Sequence, residues 1–243
     1  MLTMKKIQQY LLPIAIIVAG ILIAGTIYAT QHKTPVKERS VAEIAQDALQ
    51  PKIEVAPVSD ADHIEGPLNA KVKLIVYTDP ECPYCRIFHG TLQSLYTEHK
   101  AAGDLAIVYR MLPLERHPKA PKESEAFECA HEIGGNDSFW KYADTLFANT
   151  PSNNNLDHDK LYDFANTINI DAAKFKTCLD SGKYAQKITD SVKAGIRAGG
   201  FGTPYSVVQV KDQFIPIVNS NGEGYGALPL NAMGQIVKEL GNL

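Results

Sequence analysis

Cys82-Pro83-Tyr84-Cys85 puts two thiols three positions apart, where one helical turn can close a disulfide between them or open it against another chain. The flanking residues set this pair where a strand hands over to a helix. Upstream, Val72, Leu74, Ile75, Val76 and Tyr77 form an apolar run of strand length. Downstream, Tyr84, Ile87, Phe88, Leu92, Leu95 and Tyr96 recur at helical spacing. Cys82 then stands at or beside a helix N-terminus, where unpaired N–H groups and the macrodipole favour a thiolate, the nucleophile of thiol–disulfide exchange. Pro83 suits the first turn, because its missing N–H would have had no partner there. The competing use of such a pair is zinc binding, which needs two further ligands, usually a second close Cys/His pair. Cys129 and Cys178 stand alone, and none of the seven histidines forms a tight pair with a cysteine. Redox chemistry is therefore the reading, with no metal and no cofactor expected.

The elements that must position this pair can be followed along the chain. After Gly103, Leu105, Ile107, Val108 and Tyr109 make a second short strand that ends near Met111-Leu112-Pro113. Residues 122–198 then carry helical stripes, punctuated by Gly134-Gly135, by residues 151–155 and by Ser181-Gly182. Strand chemistry returns at residues 205–210 and 213–218 around a Lys211-Asp212 turn, and 228–240 reads as a closing helix. Without the helical block, a small mixed sheet flanked by helices remains. The two cysteines lie at one strand's C-terminal end, where open α/β sheets place reactive loops.

The amino terminus bears on where the chemistry happens. Residues 11–29, after a flank at 1–10, contain nineteen positions without a charge. At 1.5 Å per residue that roughly matches a ~30 Å hydrocarbon core. Lys5 and Lys6 precede the run, and Ile27-Tyr28-Ala29 is a poor cleavage site, so the run reads as a retained transmembrane anchor. Basic residues lie on both sides of it, so charge does not set its orientation. Four cysteines suit an oxidising compartment, which places the bulk of the chain outside the cytoplasm. Residues 30–67 are charged, Pro-containing and low in large hydrophobes, and read as a linker. From residue 68 to 243 there is enough chain for one domain with a full core. A net charge of −3 with no basic stripe argues against nucleic acid.

The chain resembles the DsbA-like thiol–disulfide oxidoreductases, a thioredoxin fold with an inserted helical domain. The resemblance runs from about Asp62 to the C-terminus. It rests on Thr78 to Cys85, on Tyr109-Arg110-Met111-Leu112-Pro113-Leu114, on the Phe139-Trp140 to Leu146-Phe147 helix, and on Gly202-Thr203-Pro204. The fold class it implies is α/β: a thioredoxin-like domain at 68–243 with a helical insertion at about 122–198, preceded by the transmembrane helix. It further implies that Pro204 is cis, and that Thr203 lies beside the disulfide where its backbone can pair with a substrate strand. One position departs from the pattern. Many members carry a buried acid six residues before the first cysteine, and here that residue is Val76, which leaves the proton acceptor of Cys85 unassigned.

The implied cycle has Cys82 attacked by a substrate thiolate, Cys85 as its buried partner, and Pro83 and Tyr84 tuning the redox balance. With those two cysteines committed to each other, Cys129 and Cys178 are left as one pair. They form either a structural disulfide, favoured by an oxidising compartment, or two buried free thiols. His89 either lines the surface near the motif or faces water, while His117, His131 and His158 read as solvated. Tyr84 and residues 200–204 are expected to rim an apolar groove for unfolded peptide. The function expected is a dithiol oxidase acting on reduced secreted proteins and reoxidised by a membrane redox partner. A reductase or an isomerase would use the same residues. A glutaredoxin-like enzyme fits poorly with a membrane span and a helical insertion, and a non-catalytic peptide-binding module fits poorly with an intact Cys pair.

Overall fold

The run Val72–Thr78 does not alternate between apolar and polar residues, because both faces of the strand it forms (β2) are covered. The computed structural model describes residues 53–242. Around β2 lie β1 (His63–Glu65), β3 (Leu105–Met111), β4 (Tyr205–Val210) and β5 (Gln213–Pro216), in the order β1-β3-β2-β4-β5. β2 and β3 are parallel and joined through helix α1 (Pro83–His99), whereas the other three pairings are antiparallel. Val76 stands opposite Tyr109 in that parallel register. Val76 and Tyr109 share one buried cluster with Cys82, Cys85, Phe88 and Leu92, so they point to the α1 side of the sheet. Ile75, Tyr77 and Val108 point to the opposite side.

The helical block comprises α2 (Ala120–Asn149), α3 (Lys160–Thr167), α4 (Ala172–Ser181) and α5 (Ala185–Arg197), and α6 (Leu230–Leu240) closes the chain. α2 kinks at Gly135, whose φ of 70° and ψ of −166° a side chain would resist. α4 starts where the Asp171 carboxylate accepts the Lys174 N–H at 3.0 Å, and it ends on Gly182 with φ 63°. Cys129 of α2 and Cys178 of α4 form a disulfide that closes a separation of 49 residues.

Several sequence boundaries shift. The domain does not start at residue 68, because the supposed linker is built into it from Ile53 onward. The Glu54 N–H donates to the Arg197 carbonyl (2.9 Å) and the Val58 N–H to Gln209 Oε1 (3.1 Å). Arg110 grips Asp62 with two donors, at 2.9 and 3.2 Å. Ile53, Val55, Val58 and Ile64 cover the second face of the sheet, and β1 extends its edge. A polar stretch holding a three-residue strand carries no periodicity to detect, which is why the sequence reads it as spacer. β5 stops at Pro216, short of 218, and α6 begins at Leu230. Ile196, within the helical block read at 122–198, is exposed near the end of α5. The transmembrane anchor read at 11–29 and the start of the linker lie outside the described residues. Among the described residues, no helix is long and apolar enough to cross a membrane.

The disulfide ties α2 to α4 across a long loop, so it acts chiefly by restricting the unfolded chain. Cys129→Ala/Cys178→Ala should cost about 2–4 kcal/mol in urea unfolding. The Cys82 thiol should keep its reactivity in that variant. An unchanged unfolding midpoint would show that the cross-link adds nothing.

Candidate active site

The turn from β2 into α1 is organised around carboxylates buried inside it. Asp79 is wholly buried. Its Oδ1 accepts the Glu81 N–H at 2.8 Å, and its Oδ2 accepts the Leu114 N–H at 2.8 Å and faces His117 Nδ1 at 2.7 Å. Burial pushes the Asp79 carboxyl up, against the pull of the Leu114 N–H and His117. The Asp79 carbonyl accepts the Cys82 N–H at 3.1 Å, and its own N–H points at Cys85 Sγ at 3.4 Å. Glu81, also buried, accepts N–H groups from Asn154 (2.6 Å) and Leu156 (3.4 Å), while its carbonyl accepts the Asn153 N–H (2.8 Å). Ser152, Asn153 and Asn154 all take positive φ to present those donors, a conformation that short polar side chains tolerate best. Behind Glu81 lies Glu123, fully buried. Burial, and then the neighbouring Glu81 carboxylate, push its carboxyl up to about 9.

Cys82 is the N-cap of α1 and Pro83 begins the helix. Cys82 Sγ donates to the Thr203 carbonyl at 3.3 Å, and the Thr203-Pro204 bond is cis. Cys82 and Cys85 are both free thiols here, each only 1% exposed, so charge state and not area separates them. The Cys82 thiol is lowered to about 6, first by the Cys85 thiol, then by Thr203 and the N–H groups of Cys85 and Tyr84, against the opposing effect of burial. Burial and the Cys82 sulfur hold the Cys85 thiol well above its ordinary value. Cys82, at the helix end, is thus the thiol that ionises first, giving up its donation to Thr203 as it does so, while Cys85 one turn deeper holds its proton more firmly. The same two segments carry exposed large apolar side chains: Tyr84 and Ile87 on α1, and Phe201 just before Thr203.

The structure thus brings together Cys82, Pro83, Tyr84, Cys85, Thr203 and Pro204, and it keeps Cys129 and Cys178 apart from them as a disulfide. Sequence reasoning missed the buried partners. It assigned no role to Asp79 or Glu81 and read His117 as solvated, yet His117 is buried on Asp79. His89 neither lines the surface nor faces water. It is buried, with Nδ1 2.8 Å from the Tyr109 hydroxyl and Nε2 2.8 Å from Asp144 Oδ1. The four-residue spacing from Cys85 to His89 was the available signal, since it puts both on one helix face. His117 offered none, because its contact depends on a loop more than thirty residues from Asp79.

Comparison with known proteins gives a consistent result. A family model described as thioredoxin matches residues 59–215. Among solved structures, DsbA2 of Pseudomonas aeruginosa is similar, with a TM-score of 0.60 and 22% identity, covering 75% of this chain and 96% of that one. Oxidised BdbD of Bacillus subtilis has a TM-score of 0.63 and 18% identity, covering 79% and 98%. Among curated proteins, a Na(+)/H(+) antiporter NhaA of Herminiimonas arsenicoxydans is 29% identical over 150 residues, 62% of this chain but 22% of the antiporter. The chain thus spans about a fifth of the length of the curated relatives it matches.

Two measurements test the electrostatics. Iodoacetamide should alkylate Cys82 in the reduced protein with a pH midpoint of about 6 while Cys85 stays unmodified. Equal labelling of both would contradict the helix-end geometry. Glu123 keeps its proton in the folded state up to about 9 but loses it near 4.5 when unfolded, so the wild type should lose stability as pH rises through that window. Glu123→Gln, which cannot ionise, should gain on the wild type steadily across it in urea unfolding. Parallel pH profiles for the two proteins would mean that Glu123 is already ionised.

Proposed function

The chain belongs to the thioredoxin family, and we propose that it is a protein thiol:disulfide oxidoreductase, working as a dithiol oxidase outside the cytoplasm. The observation that carries this reading is the placing of Cys82 at the N-terminus of α1, on the Thr203 carbonyl, with Cys85 buried one turn deeper; there the Cys82 thiol is lowered to about 6 and that of Cys85 is raised. In the oxidised protein, a substrate thiolate attacks Cys82 Sγ. The Cys82–Cys85 bond breaks, Cys85 leaves and takes up a proton, and a mixed disulfide remains on Cys82. A second substrate thiolate attacks the substrate sulfur of that bond and Cys82 leaves as a thiolate. Departure is faster when the leaving thiol has a low pKa, and a stabilised thiolate favours the reduced dithiol, so the disulfide is readily given away.

Reduced, unfolded secreted proteins are the proposed substrates. The Thr203 backbone beside Cys82 would pair with an extended peptide, and Tyr84, Ile87 and Phe201 would meet its apolar side chains. The uncharged run at 11–29 supports membrane anchoring, and the Cys129–Cys178 disulfide fits an oxidising compartment. A membrane redox partner would then remove two electrons and two protons from the dithiol after each turnover. The antiporter relatives support no transport reading, since the chain spans so little of them.

The test is oxidative refolding of a reduced, unfolded disulfide protein by the purified full chain. Activity should vanish in Cys82→Ser, and the reduction potential of the pair should lie nearer about −120 mV than about −270 mV. A potential at the lower end would make the protein a reductase.

A further inference from the structure

Every cycle of the proposed exchange obliges Cys85 to change its proton while the sulfur is sealed from water. Val76, the β2 residue nearest the turn in the buried cluster that holds Cys85, has no proton to exchange, so the proton must come from elsewhere. Val76 stands opposite Tyr109 on β3, and both lie in the cluster that holds Cys85. His89 is one turn beyond Cys85 on α1. Its Nδ1 meets the Tyr109 hydroxyl at 2.8 Å and its Nε2 meets Asp144 Oδ1 at 2.8 Å. The Asp144 side chain is 55% exposed, whereas that of His89 is 7% exposed. A hydrogen-bonded chain therefore runs to the exposed Asp144 from Tyr109, which lies in the buried cluster that holds Cys85. We propose that this chain, Tyr109–His89–Asp144, carries the proton of Cys85.

The steps balance without a further reagent. In the oxidised protein His89 holds a proton on each ring nitrogen, Nε2–H donating to the Asp144 carboxylate and Nδ1–H to the phenol oxygen of Tyr109. When a substrate thiolate breaks the Cys82–Cys85 bond, Cys85 is left as a thiolate. The phenol O–H passes to the sulfur as the Nδ1 proton passes to the phenol oxygen. Cys85 gains a proton, and His89 is left neutral with its remaining proton on Nε2. In the reverse direction the same groups accept the proton as Cys85 attacks a mixed disulfide. The phenol is held well above its ordinary value by burial and by the Cys85 charge, so Tyr109 hands protons on without ionising.

The groups facing His89 are Asp144 of α2 and Tyr109 of β3, with the Phe147 ring at 4.9 Å and Glu65 of β1 within electrostatic reach. Glu65 is engaged by Gln93 at 2.8 Å. The rival route is Asp79 with His117, but that carboxylate already serves Leu114 and Glu81, only its backbone N–H meets Cys85, and His117 is itself buried.

The inference rests on the proposed dithiol exchange, and one stopped-flow experiment separates the two. The reduced full chain is mixed with Ellman's reagent, which releases a first thiolate when Cys82 attacks and a second when Cys85 closes the disulfide. No first release in the wild type would refute the exchange reading itself. Tyr109→Phe and His89→Phe should keep the first phase within about twofold and slow the second at least tenfold near neutral pH, the scale of a lost acid–base relay. The second phase in the variants should also rise in proportion to hydroxide, where the wild type is flatter. Tyr109→Phe removes a single oxygen and serves as the test if His89→Phe does not fold. A second phase unchanged in rate and pH slope, or a first phase slowed as much as the second, overturns the proposal. So does a second phase that collapses in Asp79→Asn alone, which would move the route to Asp79 and His117.

Discussion

A sulfur anion enclosed in protein persists only where donors converge on it, and this requirement governs the architecture around α1. Cys82 meets it by standing at the helix end, where the N–H groups of Tyr84 and Cys85 have no helical acceptor and the Cys85 thiol supplies a further proton. Moved one residue into the helix, the same sulfur would face N–H groups already committed to the backbone ladder. The start of α1 must therefore be fixed to within one position. Asp79 fixes it from inside the turn, through its carbonyl on the Cys82 N–H and its carboxylate on Glu81 and Leu114.

Placing carboxylates so near a thiolate carries an electrostatic penalty, and the protein limits it in two ways. Asp79 and Glu81 spend their charge on backbone N–H groups and on His117, which localises it away from the sulfur. Glu123 has no comparable set of donors and stays protonated beside Glu81. Two carboxylates in one buried site cannot both ionise cheaply, so one keeps its proton. The site thus gains rigidity from acids without accumulating their full charge.

The reactive pair was legible because its signal is local: cysteine spacing, Pro83, and the change from strand to helical periodicity all fall within one short stretch. The order of elements was legible for the same reason, down to the break at Gly135. What was illegible depends on contacts between distant segments. His89 read as a residue of the helix surface and Tyr109 as an ordinary member of an apolar strand, and only the packing of α1 on β3 brings them together. The segment at 53–67 failed differently. It is held by single backbone hydrogen bonds and by Arg110 on Asp62, which leave no period in the sequence.

Those distant contacts give the helical block a role beyond covering the sheet. α2 supplies Asp144 to His89, Phe147 to the same ring, Trp140 against Tyr109 at 4.6 Å, and Glu123 behind Glu81. The loop after α2 supplies the donors that hold Glu81. Arg86 Nε then reaches the Phe147 carbonyl at 3.1 Å, tying the end of α2 to the first turn of α1. A bare sheet with α1 would hold the two sulfurs but would leave Cys85 without this wall and His89 without its acid. The insertion therefore belongs to the redox site, and α2 contributes to it from both sides of its kink at Gly135, Glu123 before it and Asp144 after it.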